Sequence, residues 1–181
     1  TFLSFAGRYC VLMPNSLNND GISRKIGDIE ERKKLKQIIT SVNIPEKMSV
    51  IIRTAGIGKT KKEIAKDLSF LISQWNKIRQ LTIKSEAPEL IYEEGNILKR
   101  AIRDIYDNNT NNIIVDGNEG YQKAKNFMKL LMPEGVKKIK KYRGTIPLFH
   151  AVNIEKDLNR IFEPTVKLES GGYIVINPTE A

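Results

Sequence analysis

The stretch that decides the fold is Ser49–Thr60, with the sequence SVIIRTAGIGKT. Its three consecutive apolar, β-branched residues at 50–52 predict a buried strand. The strand ends at Arg53 and Thr54, and a short glycine-rich loop follows. Arginine offers a planar fork of donors, threonine offers a hydroxyl, and glycine allows backbone N–H groups to approach an anion. The stretch therefore predicts an anion site at a strand end, and phosphate is the obvious anion.

The end of this stretch, GIGKT, is similar to the end of a nucleotide-binding P-loop, G-x-x-x-x-G-K-[ST]. In a P-loop the first glycine would stand at position 53, where this chain has Arg53. A nucleotide-hydrolysing switch is therefore disfavoured. On pattern alone, a strand–helix connection whose glycines only form the turn explains the loop equally well, because Thr60 and Glu63 have the spacing of a helix-starting capping box.

Short apolar runs alternate with helical patterns along the rest of the chain. Strands are predicted at 2–13 (one, or two joined at Ala6–Gly7), 22–26, 113–115 and 136–142, with a hairpin of 165–168 and 172–176. Strands and helices alternate from residue 113 onward, which predicts an α/β unit and a mixed α/β (α+β) fold class.

The longest helix is predicted from Thr60 to about Ser85. Its apolar residues recur at helical spacing and form one stripe, composed of Ile64, Leu68, Leu71, Trp75 and Ile78. Trp75 lies within the stripe and is assigned to core packing. Asp67 lies beside the stripe and is predicted to be a surface or hydrogen-bonding residue.

The composition is basic: 30 Lys and Arg face 21 Asp and Glu, which gives a net charge of +9. This balance favours a nucleic-acid partner or an anionic surface. The single cysteine, Cys10, excludes an internal disulfide and fits a reducing cytosol. No stretch has the length of a membrane span or the pattern of a signal peptide. The sequence starts without Met and ends directly after a strand pattern, so we expect it to be part of a longer protein.

A hydrolytic centre for phosphodiesters requires clustered carboxylates that hold Mg²⁺ and orient a water. Asp104 and Asp107 share a helix face beside two arginines, which predicts surface ion pairs. Asp116 is predicted to be a turn and helix-start residue. His150 has no second ligand at metal spacing and is predicted to be structural, and Cys10 is predicted to be a small core residue.

Seven motifs of the chain resemble those of one known family, in the same order and at similar spacing. They are TFLSFAGRYCVLMPN at 1–15, GISRKI at 21–26, IRTAGIGKT at 52–60, NILKRAIRD at 96–104, IIVD at 113–116, GTIPLF at 144–149 and SGGYIVINPTEA at 170–181. On these motifs the whole chain resembles the RNase E/G family of bacterial endoribonucleases.

The resemblance implies three segments. Residues 1–97 match the 5′-sensor subdomain of mixed strands and helices. Residues 98–162 match the RNase H-like α/β subdomain, which has a structural role in this family. Residues 163–181 match the start of the DNase-I-like catalytic subdomain.

The resemblance also implies a binding site for the 5′-monophosphate of an RNA. Carried over position by position, the main contacts are Arg53 and Thr54, and backbone groups come from the strand that contains Gly7 and Val11. Arg8 and Cys10 depart from the family pattern, and their side chains are expected to alternate away from the pocket.

For the intact protein, the resemblance implies a Mg²⁺-dependent, single-strand-specific endoribonuclease of RNA processing and mRNA decay, located in the cytoplasm and associated with the inner membrane. Implied partners are 5′-monophosphorylated RNA, a homotetramer, and degradosome proteins bound through regions outside this chain. The family's metal-binding aspartates follow Ala181, so the chain is expected to carry no catalytic or metal-binding residue and to be inactive alone. The alternative is a non-catalytic basic module that tracks the phosphates of an RNA backbone.

Overall fold

The computed structural model describes residues 3–16, 20–94, 96–107 and 109–178. The ends of the first and last sequence motifs, residues 1–2 and 179–181, lie outside the described residues. Helices and strands alternate along the chain, and the strands form several small sheets. This arrangement confirms the mixed α/β fold class.

The first sheet contains four strands in the order β1-β2-β4-β3. The strands are β1 (Phe5–Ala6), β2 (Cys10–Met13), β3 (Gly21–Ile22) and β4 (Ser49–Ile52). β2 lies antiparallel to both β1 and β4, and β3 lies parallel to β4. The predicted division of the first strand at Ala6–Gly7 is confirmed. The strand predicted at 22–26 is wrong beyond Ile22, because the backbone turns there and the Ile26 N–H donates to the Ser23 carbonyl.

Side chains alternate between the two faces of this sheet. Cys10, Leu12, Val50 and Ile52 are buried on one face, where they pack with Leu35 and the apolar stripe of the long helix. Val11 lies directly opposite Ile51 and is only partly buried. Because side chains alternate along a strand, Val11 and Ile51 share the other, more open face.

Two helices cover the buried face, α1 (Ile29–Ser41) and α2 (Lys61–Lys84). Asp28 caps α1 by accepting from the Glu30 and Glu31 N–H groups. Thr60 caps α2, and the reciprocal bonds with Glu63 confirm the predicted capping box. The buried positions of α2 repeat at helical spacing and are Ile64, Asp67, Leu68 and Leu71. Trp75 packs against this core with its ring 5.8 Å from that of Phe5, as predicted.

A second apolar cluster joins α3 (Ile97–Asp104), α4 (Asn118–Leu131), β5 (Ile113–Val115) and β6 (Ile139–Lys141). β5 and β6 pair in parallel. Phe70 of α2 packs against both this cluster and the first one. The strand predicted at 136–142 is wrong at its start, because a 3₁₀ helix occupies Pro133–Lys138.

β5 is less buried than its apolar sequence predicts. All of its residues are only partly buried or exposed. Ile114 is 49% exposed, whereas Ile113 and Val115 pack against the second apolar cluster.

The last part of the described chain contains α5 (Leu148–Ala151), α6 (Ile154–Ile161), β7 (Thr165–Lys167) and β8 (Tyr173–Val175). β7 and β8 pair antiparallel, which confirms the predicted hairpin. Every residue from 149 to 178 is exposed, including apolar ones such as Phe162, which is 86% exposed. Across the described ranges, no helix is both long and apolar enough to cross a membrane.

Candidate functional site

Arg53 lies directly after β4 and extends the pairing of β4 with β2 by one residue. Its N–H donates to the Tyr9 carbonyl at 2.8 Å. It lies two residues after Ile51 in extended backbone, so its side chain leaves from the open face shared with Val11. Its Nη1 donates to the Gly7 carbonyl at 2.6 Å. The sheet therefore brings Arg53 and Gly7 into direct contact.

Gly7 begins the turn between β1 and β2, and its N–H donates to the Cys10 carbonyl at 2.8 Å. The carboxylate of Asp67, from α2, lies against this turn. A Cβ at Gly7 would lie 2.5 Å from Asp67 Oδ2. Glycine is therefore required here by the close approach of the carboxylate.

Asp67 accepts hydrogen bonds from three consecutive backbone amides. The N–H of Arg8 donates to Oδ1 at 3.0 Å, and those of Tyr9 and Cys10 donate to Oδ2 at 2.8 and 2.9 Å. Burial raises the pKa of Asp67, against the opposing effect of the three N–H donors and of the Arg53 charge. The resemblance implies that backbone groups of the strand containing Gly7 and Val11 contact the phosphate. The N–H groups of residues 7–10 have partners within the protein, and contact of this strand with a phosphate stays a prediction.

Thr54 is exposed and begins the 3₁₀ turn Thr54–Gly56 directly after Arg53. The loop needs its glycines: a Cβ at Gly56 would lie 2.6 Å from Ile52 Cγ2, and Gly58 has a φ of 68°. The Thr60 hydroxyl is bonded to Glu63, within the helix cap. This use of Thr60 differs from that in a P-loop, where the hydroxyl binds Mg²⁺.

Val11 lies in the middle of the sheet. It pairs with Ala6 on one side and Ile51 on the other, so its backbone lies inside the strand ladder. Its side chain is on the same sheet face as Arg53. The structure thus places the side chains of Arg53 and Val11 on one face of the sheet, with the Gly7 carbonyl in contact with Arg53 and Thr54 next to Arg53 in the chain. Their contact with a phosphate stays a prediction.

Asp104, at the end of α3, is a second partner of Arg53. Its Oδ1 lies 2.7 Å from Arg53 Nη1, and its Oδ2 lies 2.9 Å from Arg103 Nη2. Arg103 also donates to the Ala6 carbonyl and to Glu94, at 3.0 Å each. Burial would raise the pKa of Asp104, but the hydrogen bonds from Arg103 and Arg53 outweigh it and lower that pKa. The predicted ion pairing of Asp104 is confirmed, and it reaches across to the strand end.

A cleft of about 510 Å³ opens beside these residues. Its walls include Arg8, Tyr9, Lys59 and Tyr106, together with Asp104. The Arg8 guanidinium lies 5.3 Å from the ring centres of both tyrosines, and Lys59 Nζ lies 5.5 Å from that of Tyr9. The Arg8 side chain thus lies on the wall of the cleft, where it also donates to the Tyr106 carbonyl at 2.7 Å. Its orientation away from the phosphate stays a prediction. Cys10 does point away and is fully buried in the core.

Asp107 also lines this cleft. Its predicted place on a helix face is wrong, because α3 ends at Asp104 and Asp107 accepts from Thr110 in a turn. The remaining candidate residues lie apart from this site. Asp116 accepts from the Gly117 N–H before α4. His150 is exposed, with Nδ1 3.5 Å from Glu155. Within the described ranges, no three His, Cys, Asp or Glu side chains are grouped so that they could hold a metal ion.

Asp67 is predicted to be a surface or hydrogen-bonding residue; its hydrogen bonds are confirmed, but it is buried rather than on the surface. One signal of this burial was present in the sequence. Asp67 lies three residues after Ile64 and four before Leu71, which places a carboxylate inside an apolar stripe. A charged residue on the buried face of a helix requires hydrogen-bond partners. The partners themselves, 57 to 59 residues away, have no signal in the sequence.

Taken together, the fold and the site define a mixed α/β protein with a cation-lined site at the end of a sheet strand. The model of the Ribonuclease E/G family matches residues 4–181. The chain belongs to this family.

Individual relatives agree with this assignment. The chain is 41% identical over its full length to ribonuclease E of Haemophilus influenzae and to ribonuclease E of Escherichia coli, of which it covers 19% and 17%. It is 32% identical to ribonuclease G of Escherichia coli and covers 37% of that protein. The chain thus spans about a fifth of the length of these ribonuclease E relatives.

Proposed function

We propose that this chain is the part of a single-strand-specific endoribonuclease that senses the 5′-monophosphate end of RNA. The intact protein would act in RNA processing and mRNA decay. The observation that carries the proposal is the position of Arg53: it lies at the end of β4, held by Gly7 and Asp104, beside a cleft lined by three cations and two carboxylates. Membership of the Ribonuclease E/G family supports the activity of the intact protein.

The geometry explains how such a site would discriminate between RNA ends. Within the described part of the chain, the hydrogen bonds of the Arg53 side chain all use Nη1. The remaining donors, on Nε and Nη2, form a fork that suits two oxygens of a phosphate. The Thr54 hydroxyl stands next in the chain and adds one donor. A 5′-hydroxyl end offers no charge to this fork and binds less tightly.

Hydrolysis itself belongs, in this proposal, to another part of the intact protein. The family relationship implies Mg²⁺ held by aspartates, and the side chains of the described residues form no such group. We therefore expect this chain to leave single-stranded RNA intact at any Mg²⁺ concentration. Metal-dependent cleavage by a pure preparation, lost in Asp104→Asn or Asp116→Asn, would contradict this assignment.

The sensor assignment is tested by replacing Arg53. We expect Arg53→Ala to abolish the preference for 5′-monophosphorylated over 5′-hydroxyl RNA. A charged hydrogen bond contributes about 1.5–3 kcal/mol, so the loss is roughly ten- to hundredfold in relative affinity. Arg53→Lys keeps the charge but loses the fork and is also expected to discriminate poorly. Thr54→Val removes one hydroxyl and should have a smaller effect.

The measurement is the ratio of the two dissociation constants, from fluorescence anisotropy with end-labelled oligonucleotides at one salt concentration. Arg160→Ala is the matched control, since it removes the same charge from the exposed helix α6. Circular dichroism checks that each variant is folded. A folded Arg53→Ala chain that prefers the monophosphate as strongly as the parent would end the sensor assignment.

A second candidate is a non-catalytic RNA-binding module. The observation that favours it is the pair of cations, Arg8 and Lys59, on the walls of the cleft. A module that follows backbone phosphates would bind both RNA ends with equal affinity. The same ratio of dissociation constants therefore separates the two candidates.

A further inference from the structure

We infer that Asp67 is a positioning residue of the phosphate site: it fixes the turn Gly7–Cys10 and thereby directs the Gly7 carbonyl at Arg53. The inference rests on the proposed function. It assigns a role in end recognition to a residue that lies on α2, apart from the strand end itself.

The turn Gly7–Cys10 is bound by a single carboxylate, that of Asp67. Three consecutive N–H groups, from Arg8 to Cys10, converge on one carboxylate at 2.8 to 3.0 Å. Asp67 is only 4% exposed, so water cannot replace these bonds. The orientation of the turn is therefore set by the helix that carries Asp67.

Gly7 occupies a position in this turn that requires a glycine. Gly7 is not among the glycines with positive φ, which are Gly58, Gly117 and Gly171 in the described chain. The backbone conformation of Gly7 would therefore suit other residue types. The close approach of Asp67, 2.5 Å from an ideal Cβ, is what excludes them. Gly7 and Asp67 act as a complementary pair.

Gly7 and Asp67 both act on Arg53. The Gly7 carbonyl accepts from Arg53 Nη1 at 2.6 Å, and the Asp67 charge also acts on the Arg53 guanidinium through space. A change at Asp67 therefore reaches Arg53 through both the backbone and the electric field. Asp104 holds the same Nη1 from the opposite element, α3. With both contacts in place, the rest of the guanidinium is held in one orientation toward a ligand.

The test is Asp67→Asn, which keeps the size of the side chain but places an NH₂ donor against backbone donors. We expect the ratio of affinities for 5′-monophosphorylated and 5′-hydroxyl RNA to fall by about tenfold, because Arg53 loses its fixed orientation. The control is Leu35→Val, a change in the same core cluster but on α1, outside both α2 and the turn. Thermal unfolding of both variants measures how much stability each loses.

Gly7→Ala is a second, independent variant, since its new methyl group displaces the Asp67 carboxylate while every charge is kept. We expect it to lower the ratio as well. It keeps the inference testable if Asp67→Asn does not fold.

The possible outcomes separate clearly. A lower ratio in Asp67→Asn or Gly7→Ala, with the parent ratio kept in Leu35→Val, supports the positioning role. An equal decrease of the ratio in Leu35→Val at the same decrease in Tm would mean that Asp67 only stabilises the fold, and would overturn the inference. A parent-like ratio in both Asp67→Asn and Gly7→Ala would also overturn the inference. If Arg53→Ala still abolishes discrimination in that case, the proposed function stands alone. A parent chain with no end preference would refute both.

Discussion

Cys10 lies at the end of the turn that Asp67 holds, and its chemistry follows from that position. Its side chain is fully buried among apolar residues of the first core cluster. Burial, and secondarily the negative charge of Asp67, raises the pKa of Cys10 to about 12. The predicted role as a small core residue is confirmed, because the thiolate needed for nucleophilic attack is not formed near neutral pH.

Cys10 alkylation provides a test at the residue scale. We expect iodoacetamide at pH 8 to leave Cys10 unmodified in the folded chain and to modify it fully in concentrated urea, where the pKa of the thiol is about 8.5. Mass spectrometry of the intact chain measures the modification. Because the folded chain retains this proton to a higher pH than the unfolded chain, the free energy of unfolding should decrease as pH rises above about 8.5. Rapid alkylation of the folded chain would contradict the burial of Cys10.

At the scale of elements, α2 connects the fold to the site. Its apolar stripe packs against the buried face of the first sheet, and Phe70 reaches the second apolar cluster. Its N-terminal cap closes the loop that follows Arg53 and Thr54. The start of α2 therefore determines where that loop ends.

The capping box of α2 is tested by Thr60→Ala. The substitution removes the side-chain acceptor for the Glu63 N–H and the partner of its carboxylate. An N-cap of this kind contributes about 1 kcal/mol, which corresponds to a decrease in Tm of roughly 2–4 °C in a chain of this size. Thr82→Ala is the control, because its hydroxyl donates to the Ile78 carbonyl within the helix and takes no part in the cap. Differential scanning calorimetry compares the two. Equal Tm values for both variants would mean that the cap contributes nothing to stability.

For the whole molecule, net charge determines the salt dependence expected of the proposed RNA binding. The chain carries a net charge of +9, and Arg8 and Lys59 line the cleft beside the candidate site. Binding to RNA of arbitrary 5′ end should therefore be weak and should decrease steeply with salt, because each neutralised phosphate releases counterions.

This salt dependence is measured by anisotropy titrations with a 5′-hydroxyl oligonucleotide at several KCl concentrations. We expect the logarithm of the association constant to fall linearly with the logarithm of salt, with a slope of about −0.7 per phosphate contacted. A slope near zero would indicate stacking contacts instead, and would direct attention to Tyr9 and Tyr173. Substituting both Arg8 and Lys59 by Gln should make the slope shallower by about 0.7 for each phosphate that these two cations neutralise.

Local sequence patterns determined the elements and the position of the main candidate residue. The β-branched run at 50–52 predicted β4, the stripe after Thr60 predicted α2 and its cap, and Arg53 was placed at the strand end. Such patterns succeed because strand and helix periodicities involve residues close in sequence. The family resemblance extends over the whole chain because each motif is a local pattern that is compared position by position.

Only the tertiary structure decided which groups surround Arg53. Gly7 lies 46 residues from it and Asp104 lies 51 residues from it, and Asp67 meets its amide partners across 57 to 59 residues. The sheet order and the packing of α2 and α3 bring these groups together, and nothing local encodes their distances. The same packing pairs the backbone donors of the turn with Asp67. A carboxylate from another element occupies them, because a buried N–H group needs a partner and the fold supplies one.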